Sequence, residues 1–125
     1  MALQTYSMVR PEHLNHHGFL FGGQLLLWVD EYAWLAAARE NPGCRLVTRA
    51  MDAIEFHHSV PVGSILRFDV REKQRGKTSI RYEIDVYSEL SGTIGENRVF
   101  STVVTFVNVD EAGNKTEICC HYERE

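Results

Sequence analysis

The chain predicts an α+β domain in which one long helix lies against an antiparallel sheet that curls around it. Three observations carry this reading. A single stretch, Gly23 to Arg39, is built from Leu, Ala, Trp and Glu with no interior breaker. Nearly everything after it alternates with period two between turn signals. At 125 residues and 44% hydrophobic, the chain holds enough apolar surface for one core and too little for two. Helix and strands must therefore bury each other within one domain, residues 1–125.

The elements follow in order. Leu3 to Arg10 reads as a short extended segment, and Pro11 opens an irregular loop that runs through Gly22. The helix, Gly23 to Arg39, is ended by Asn41-Pro42-Gly43. Leu66, Phe68 and Val70 share one strand face while Arg67, Asp69 and Arg71 share the other. After a turn at Arg75-Gly76, Ile80, Tyr82, Ile84 and Val86 repeat the pattern against Arg81, Glu83 and Asp85. One face of this hairpin is dry and the other wet. Leu46 to Phe56 and Arg98 to Val109 are apolar on both faces, which places such strands centrally or against a second surface. The helix would span about 26 Å at about 1.5 Å per residue, a length that strands of about ten residues match. With only two large surfaces available, the outer face of the sheet or its edge is expected to meet a second copy.

Composition sets limits on function. A formal net charge of −4 and a pI near 5.8 give no reason to expect nucleic acid or an anionic membrane as partner. No run approaches the roughly 18 apolar residues of a membrane span, and the first ten residues lack the basic start and apolar stretch of a signal peptide. Cys44, Cys119 and Cys120 form no spaced metal-type pair, so ordinary thiols in a reducing cytoplasm are expected. The spacing of the six histidines matches no zinc signature. No metal is expected.

The run from Asn15 to Asp30 is where chemistry concentrates. Gly22-Gly23 precede a helix apolar around most of its circumference, and that helix carries one carboxylate, Asp30. A helix apolar all round is normally buried, and a buried Asp without a partner is costly. Two glycines let a ligand approach backbone N–H groups that have no intrahelical acceptor. Donors for a developing oxyanion would then stand beside a base. Each residue also has an ordinary reading. Asp30 could be solvated beside Glu31, Asn15 could be a loop residue, Gly22 and Gly23 a flexible helix start, and Thr48 a plain strand former. The basic set Arg71, Lys73, Arg75, Lys77 and Arg81 would by default be a solvated face.

Taken in order, these motifs resemble a known family. Asn15-x-x-Gly18-x-x-Phe21-Gly22-Gly23, Trp28-Val29-Asp30 and Arg45-x-Val47-Thr48 are followed by Phe56-x-x-x-Val60-x-Val62-Gly63, Gly76-Lys77-Thr78-Ser79-Ile80 and Thr105-Phe106-Val107-x-Val109-Asp110. This set resembles the hotdog-fold acyl-CoA thioesterases of the bacterial broad-specificity type, related to the cytosolic brain acyl-CoA hydrolases. It covers the chain from about Met8 onward.

The resemblance implies a five-stranded antiparallel sheet around the helix. It also implies a homodimer formed through the sheet with sites at the interface, commonly assembled further into a hexamer, a trimer of dimers. It implies hydrolysis of acyl-CoA to a free acid and coenzyme A with no cofactor. Asp30 would be general base or nucleophile and Asn15 would face the Asp30 of the other subunit. The amides at Gly22 and Gly23 would polarise the carbonyl, and Thr48 would hydrogen-bond to Asp30. The turn holding Lys77, Thr78 and Ser79, with Arg75, would meet the nucleotide end of coenzyme A, and His58 is a further candidate for a phosphate. The chain departs from the family at His13, where an acidic residue is usual, and at His16 and His17, where small residues are. A non-catalytic acyl-CoA-binding hotdog module, or an acyl-thioester dehydratase or hydratase, is the alternative.

Overall fold

The computed structural model describes residues 3–118. Strand β1 (Leu3–Met8) leads through a short 3-10 turn, Pro11–His13, into helix α1 (Gly22–Glu40). Strands β2 (Leu46–Phe56), β3 (Ser64–Arg75), β4 (Ser79–Leu90) and β5 (Asn97–Asn108) follow. They form one sheet in the order β1-β3-β4-β5-β2, with every neighbouring pair antiparallel. The expected architecture is present, and helix and strands begin and end within a few residues of the predicted points. Among the described residues no helix is long and apolar enough to cross a membrane. Cys119 and Cys120 lie outside the described residues.

The β3–β4 hairpin follows the predicted alternation. Leu66, Phe68, Val70, Ile80, Tyr82, Ile84 and Val86 are all buried on the inner face. Leu25, Val29, Ala33, Ala36 and Ala37 of α1 join them in one core. Three alanines on the core-facing side let the helix lie close to the sheet, so the bulk comes from the strands. At that density, truncating a residue such as Phe68 to Ala would cost about 3–5 kcal/mol. The hairpin turn is tight. Gly76 N–H donates to the Ser79 carbonyl at 2.8 Å, and a Cβ on Gly76 would stand 3.1 Å from Ser79 Oγ.

The far end of the helix is tied to the sheet by polar groups. Tyr82, fully buried, donates its hydroxyl to Glu40 at 2.5 Å. Burial, reinforced by the Glu40 carboxylate, pushes the phenol well above its ordinary range. Asn41 returns its side-chain amide to the Ala37 carbonyl at 2.8 Å and accepts from Arg75 at 2.9 Å. A helix C-terminus leaves carbonyls unsatisfied, and Asn41 supplies one donor here.

One expectation is narrowed to one of its alternatives and another needs correction. β5 is buried on both faces, through Val99, Val103 and Val107 on one side and Phe100, Val104 and Phe106 on the other. β2, with a similar apolar pattern, is not central: it is the edge strand, paired to β5 alone. Its Val47, Ile54 and Phe56 are exposed, and its register shifts twice, with Ala53 at φ +56° beside the second shift. The helix is not buried all round either. Leu27 is 60% exposed, and Trp34 and Leu35 are also exposed. Leu27, Asp30, Glu31, Trp34 and Leu35 recur at helical spacing, so α1 carries a second, uncovered stripe opposite the one in the core.

Candidate active site at the helix N-terminus

The loop before the helix is organised by Asn15. Its Oδ1 accepts the backbone N–H groups of His17 at 2.9 Å and Phe19 at 3.2 Å. Its own N–H donates to the Phe19 carbonyl at 2.7 Å. Two backbone donors on one side-chain atom identify that atom as the oxygen. The amide NH2 is therefore the part of Asn15 left to act on anything else. Leu20 N–H donates to the Val60 carbonyl and Phe21 N–H to the His13 carbonyl, both at 2.8 Å. These bonds hold the loop in place.

The helix then opens with donors to spare. Gln24 and Leu25 both return their N–H groups to the Phe21 carbonyl. The amides of Gly22 and Gly23 precede those bonds, so the helix offers them no acceptor, and the partial positive charge of the N-terminus is concentrated there. A Cβ on Gly22 would stand 3.2 Å from Cζ of Phe56, and one on Gly23 would stand 2.8 Å from Cε2 of Phe21. A methyl at either position would therefore press on an aromatic ring, and both Phe21 and Phe56 are exposed side chains with room to turn aside.

Asn15 and Gly22 open into a cavity of about 750 Å3. Its apolar wall is Phe19, Leu20, Leu25, Phe56 and Val60, and its remaining polar lining is His17, His57, His58 and Ser59. Most of these residues lie in irregular segments, where sequence periodicity is silent, and only Asn15, Gly22 and His58 were foreseen. His13 lies elsewhere, with its Nδ1 accepting the Arg10 N–H at 3.0 Å and its ring 4.8 Å from that of Trp28. It shapes the loop.

Asp30 is not fully buried, contrary to expectation, while the hydrogen bond expected from Thr48 is present. It lies on the uncovered stripe of α1, half-buried, and its Oδ1 accepts the Thr48 hydroxyl at 2.7 Å. Neither Asp30 nor Thr48 lines the cavity that holds Asn15 and Gly22. Eight residues along a helix separate Gly22 from Asp30 by about 12 Å.

The β3–β4 turn lies near the other end of the molecule, beside the helix C-terminus that Arg75 contacts. Arg75 also pairs with Glu72 at 3.1 Å, Arg71 with Glu83 at 2.8 Å, and Arg81 with Asp52 at 2.8 Å. Lys77 is 81% exposed and only 3.9 Å from Glu117, the loosest engagement in this set together with that of Lys73. Thr78 and Ser79 are partly buried beside it. One chain therefore holds the predicted residues in three places: a cavity, the Asp30–Thr48 pair, and a distant turn.

Comparison with known proteins adds to this geometry. A sequence-family model described as the thioesterase superfamily matches residues 17–94. Over 105 residues the chain is 36% identical to acyl-coenzyme A thioesterase 11 of Mus musculus, a match covering 84% of this chain and 18% of that protein. Over 110 residues it is 36% identical to an uncharacterised acyl-CoA thioester hydrolase of Zymomonas mobilis, covering 88% of this chain and 72% of that one. The chain thus spans less than a fifth of the mouse protein and most of the bacterial one. Among solved structures, a hexameric thioesterase of Yersinia pestis matches with a TM-score of 0.83 at 28% identity, covering 92% of this chain and 93% of that chain.

Proposed function

We propose that this chain, which belongs to the thioesterase superfamily, hydrolyses acyl-coenzyme A to a free acid and coenzyme A without a cofactor. The observation that carries the reading is that Asn15, whose side-chain oxygen is already occupied, and Gly22, whose N–H has no acceptor within the helix, line one cavity. Donors there suit an oxygen that gains negative charge during reaction. In the proposed reaction, water attacks the thioester carbonyl carbon while Asp30 takes its proton. The carbonyl oxygen becomes an oxyanion facing the amides of Gly22 and Gly23. Collapse of the tetrahedral intermediate expels the thiolate, which recovers the proton. A variant of this reaction has the Asp30 carboxylate attack first, forming an acyl anhydride that water then cleaves. In both, the Thr48 hydroxyl orients the carboxylate.

A site assembled from two chains fits the separation of its parts. The open edge of β2 and the uncovered helix stripe are the surfaces a second copy would cover. An antiparallel partner would bring its own Asp30 and Thr48 toward the Asn15–Gly22 cavity. The helix is about 28 Å long at about 1.5 Å per residue, so the Lys77 turn that would meet the nucleotide phosphates also suits a neighbouring chain. The hexameric state of the Yersinia relative supports assembly of such dimers into a trimer of dimers.

A panel of acyl-CoAs assayed for thiol release tests the reading. Turnover is expected, and binding of coenzyme A without turnover of any member would favour a binding module. The histidines in the cavity make hydration of enoyl-CoA worth including. That reaction needs an acidic partner for the imidazole, and the described residues of one chain supply none in the lining, so any such acid would have to come from the second copy.

A further inference from the structure

Among the described residues, one chain lines the cavity at the helix N-terminus with three imidazoles and no carboxylate. The chain holds 17 Asp and Glu against 13 Lys and Arg, yet the described residues lining the cavity include His17, His57 and His58 and none that is acidic. The His16 ring lies tilted against that of His17, centroids 3.8 Å apart, adding a fourth imidazole beside the lining. The helix N-terminus contributes partial positive charge from the same side.

None of these side chains is needed by the reaction as proposed. The carbonyl oxygen is served by backbone amides and Asn15, and the proton by Asp30. A plain alkyl chain is served by Phe19, Leu20, Leu25, Phe56 and Val60. Such a chain gains nothing from the imidazoles and would strip water from them at a cost. Each imidazole keeps at least one N–H donor in either protonation state. A lining to which the described residues of the chain itself bring several donors and no acid, the one carboxylate being the base expected from a second copy, suits an anion held away from that base.

We infer that this cavity takes an anionic group of the substrate in addition to the thioester, with His17, His57 and His58 as its donors. The inference builds on the hydrolase reading. The anion has two possible sources: a carboxylate at the far end of a dicarboxylic acyl group, or a phosphate of coenzyme A itself.

Four substrates separate the sources: adipoyl and hexanoyl thioesters, each on coenzyme A and on N-acetylcysteamine, which has no phosphate. They are assayed with the wild type and with His17→Leu and His57→Leu, both at exposed positions. If the anion is the acyl carboxylate, the adipoyl-to-hexanoyl ratio of kcat/KM falls about tenfold in the variants on both carriers, the scale of one charge-assisted hydrogen bond. If it is a phosphate, both coenzyme A esters lose about tenfold together and the N-acetylcysteamine esters do not change. Variants that change neither the acyl ratio nor the carrier dependence overturn the inference. Should the wild type hydrolyse none of the four and no member of the acyl-CoA panel, the hydrolase reading fails; in either case of inactivity on the four, the anion site is read separately. Calorimetry with adipate and with coenzyme A must then show binding that the two variants weaken, or the inference falls as well.

Discussion

If the site is shared between chains, two inactive variants should rescue each other. Asp30→Asn is the cleanest perturbation of the base, because the new Oδ1 can still accept the Thr48 hydroxyl now held at 2.7 Å. Asp30 lies half-buried on the uncovered stripe, so the change should alter stability by no more than about 0.5 kcal/mol. Loss of a base should lower kcat by about 10²–10⁴. Asn15→Ala removes the amide donor from the cavity, and with it the oxygen that accepts from His17 and Phe19, so it also loosens the loop. Mixed and allowed to exchange subunits, equal amounts of the two variants give hybrids in about half of the dimers. In each hybrid one site pairs an intact Asn15 from one chain with an intact Asp30 from the other, and the second site lacks both. Expected recovery is therefore about one quarter of wild-type activity per chain, half of the dimers with half of their sites working. Thiol release on the exchanged mixture, with exchange followed by mass-tagged chains, reads this directly. No recovery after verified exchange would place both residues in one chain's site. Near-normal turnover by Asp30→Asn alone would remove Asp30 from the chemistry.

Other perturbations address single contacts. Gly22→Ala should raise the melting temperature, since Ala favours a helix over Gly by up to about 1 kcal/mol, while lowering activity because the methyl presses on the Phe56 ring at 3.2 Å; a stabilised variant with full activity would show that nothing approaches this amide. Lys77→Ala should raise KM with little change in kcat, an effect that shrinks at high salt; a loss wholly in kcat would exclude a phosphate contact. Arg67→Met should weaken the fold at neutral pH and flatten the acid limb of the thermal stability profile. The Arg67 hydrogen bonds hold Glu96 below its usual carboxylate range. For Asp69, burial works upward, but the hydrogen bonds from Gln4 and Arg67 and the Arg67 charge outweigh it and hold the group low. Lowered carboxylates contribute stability above their unfolded values near pH 4, and that contribution is lost as pH falls through the folded values. An acid limb unchanged in Arg67→Met would refute the assignment.

What could be read from the chain beforehand follows from where periodicity carries information. The β3–β4 hairpin was legible because Leu66, Phe68, Val70, Ile80, Tyr82, Ile84 and Val86 alternate with charges and all are buried. The pairing of its outer charges was available from the same register. A turn at Gly76 sets Arg71 opposite Glu83, so that arginine is committed to a neighbour before any ligand arrives. The helix was harder to read. When both sides of a helix are apolar, the sequence gives its length but no direction. Nothing in the order of Leu25, Leu26, Leu27 and Trp28 says that Leu25 enters the core and Leu27 is left outside. For the same reason Asp30 looked buried within an apolar helix, when it lies on the stripe that a single chain leaves open. The error has one physical origin with the exposed Val47, Ile54 and Phe56 of β2: apolar patterning records all the burial a chain achieves, including burial against a second copy. A surplus over what one fold can cover is thus itself a signal. In this chain the surplus surrounds Asp30 and Thr48, which is the reason to seek the complete site between two subunits.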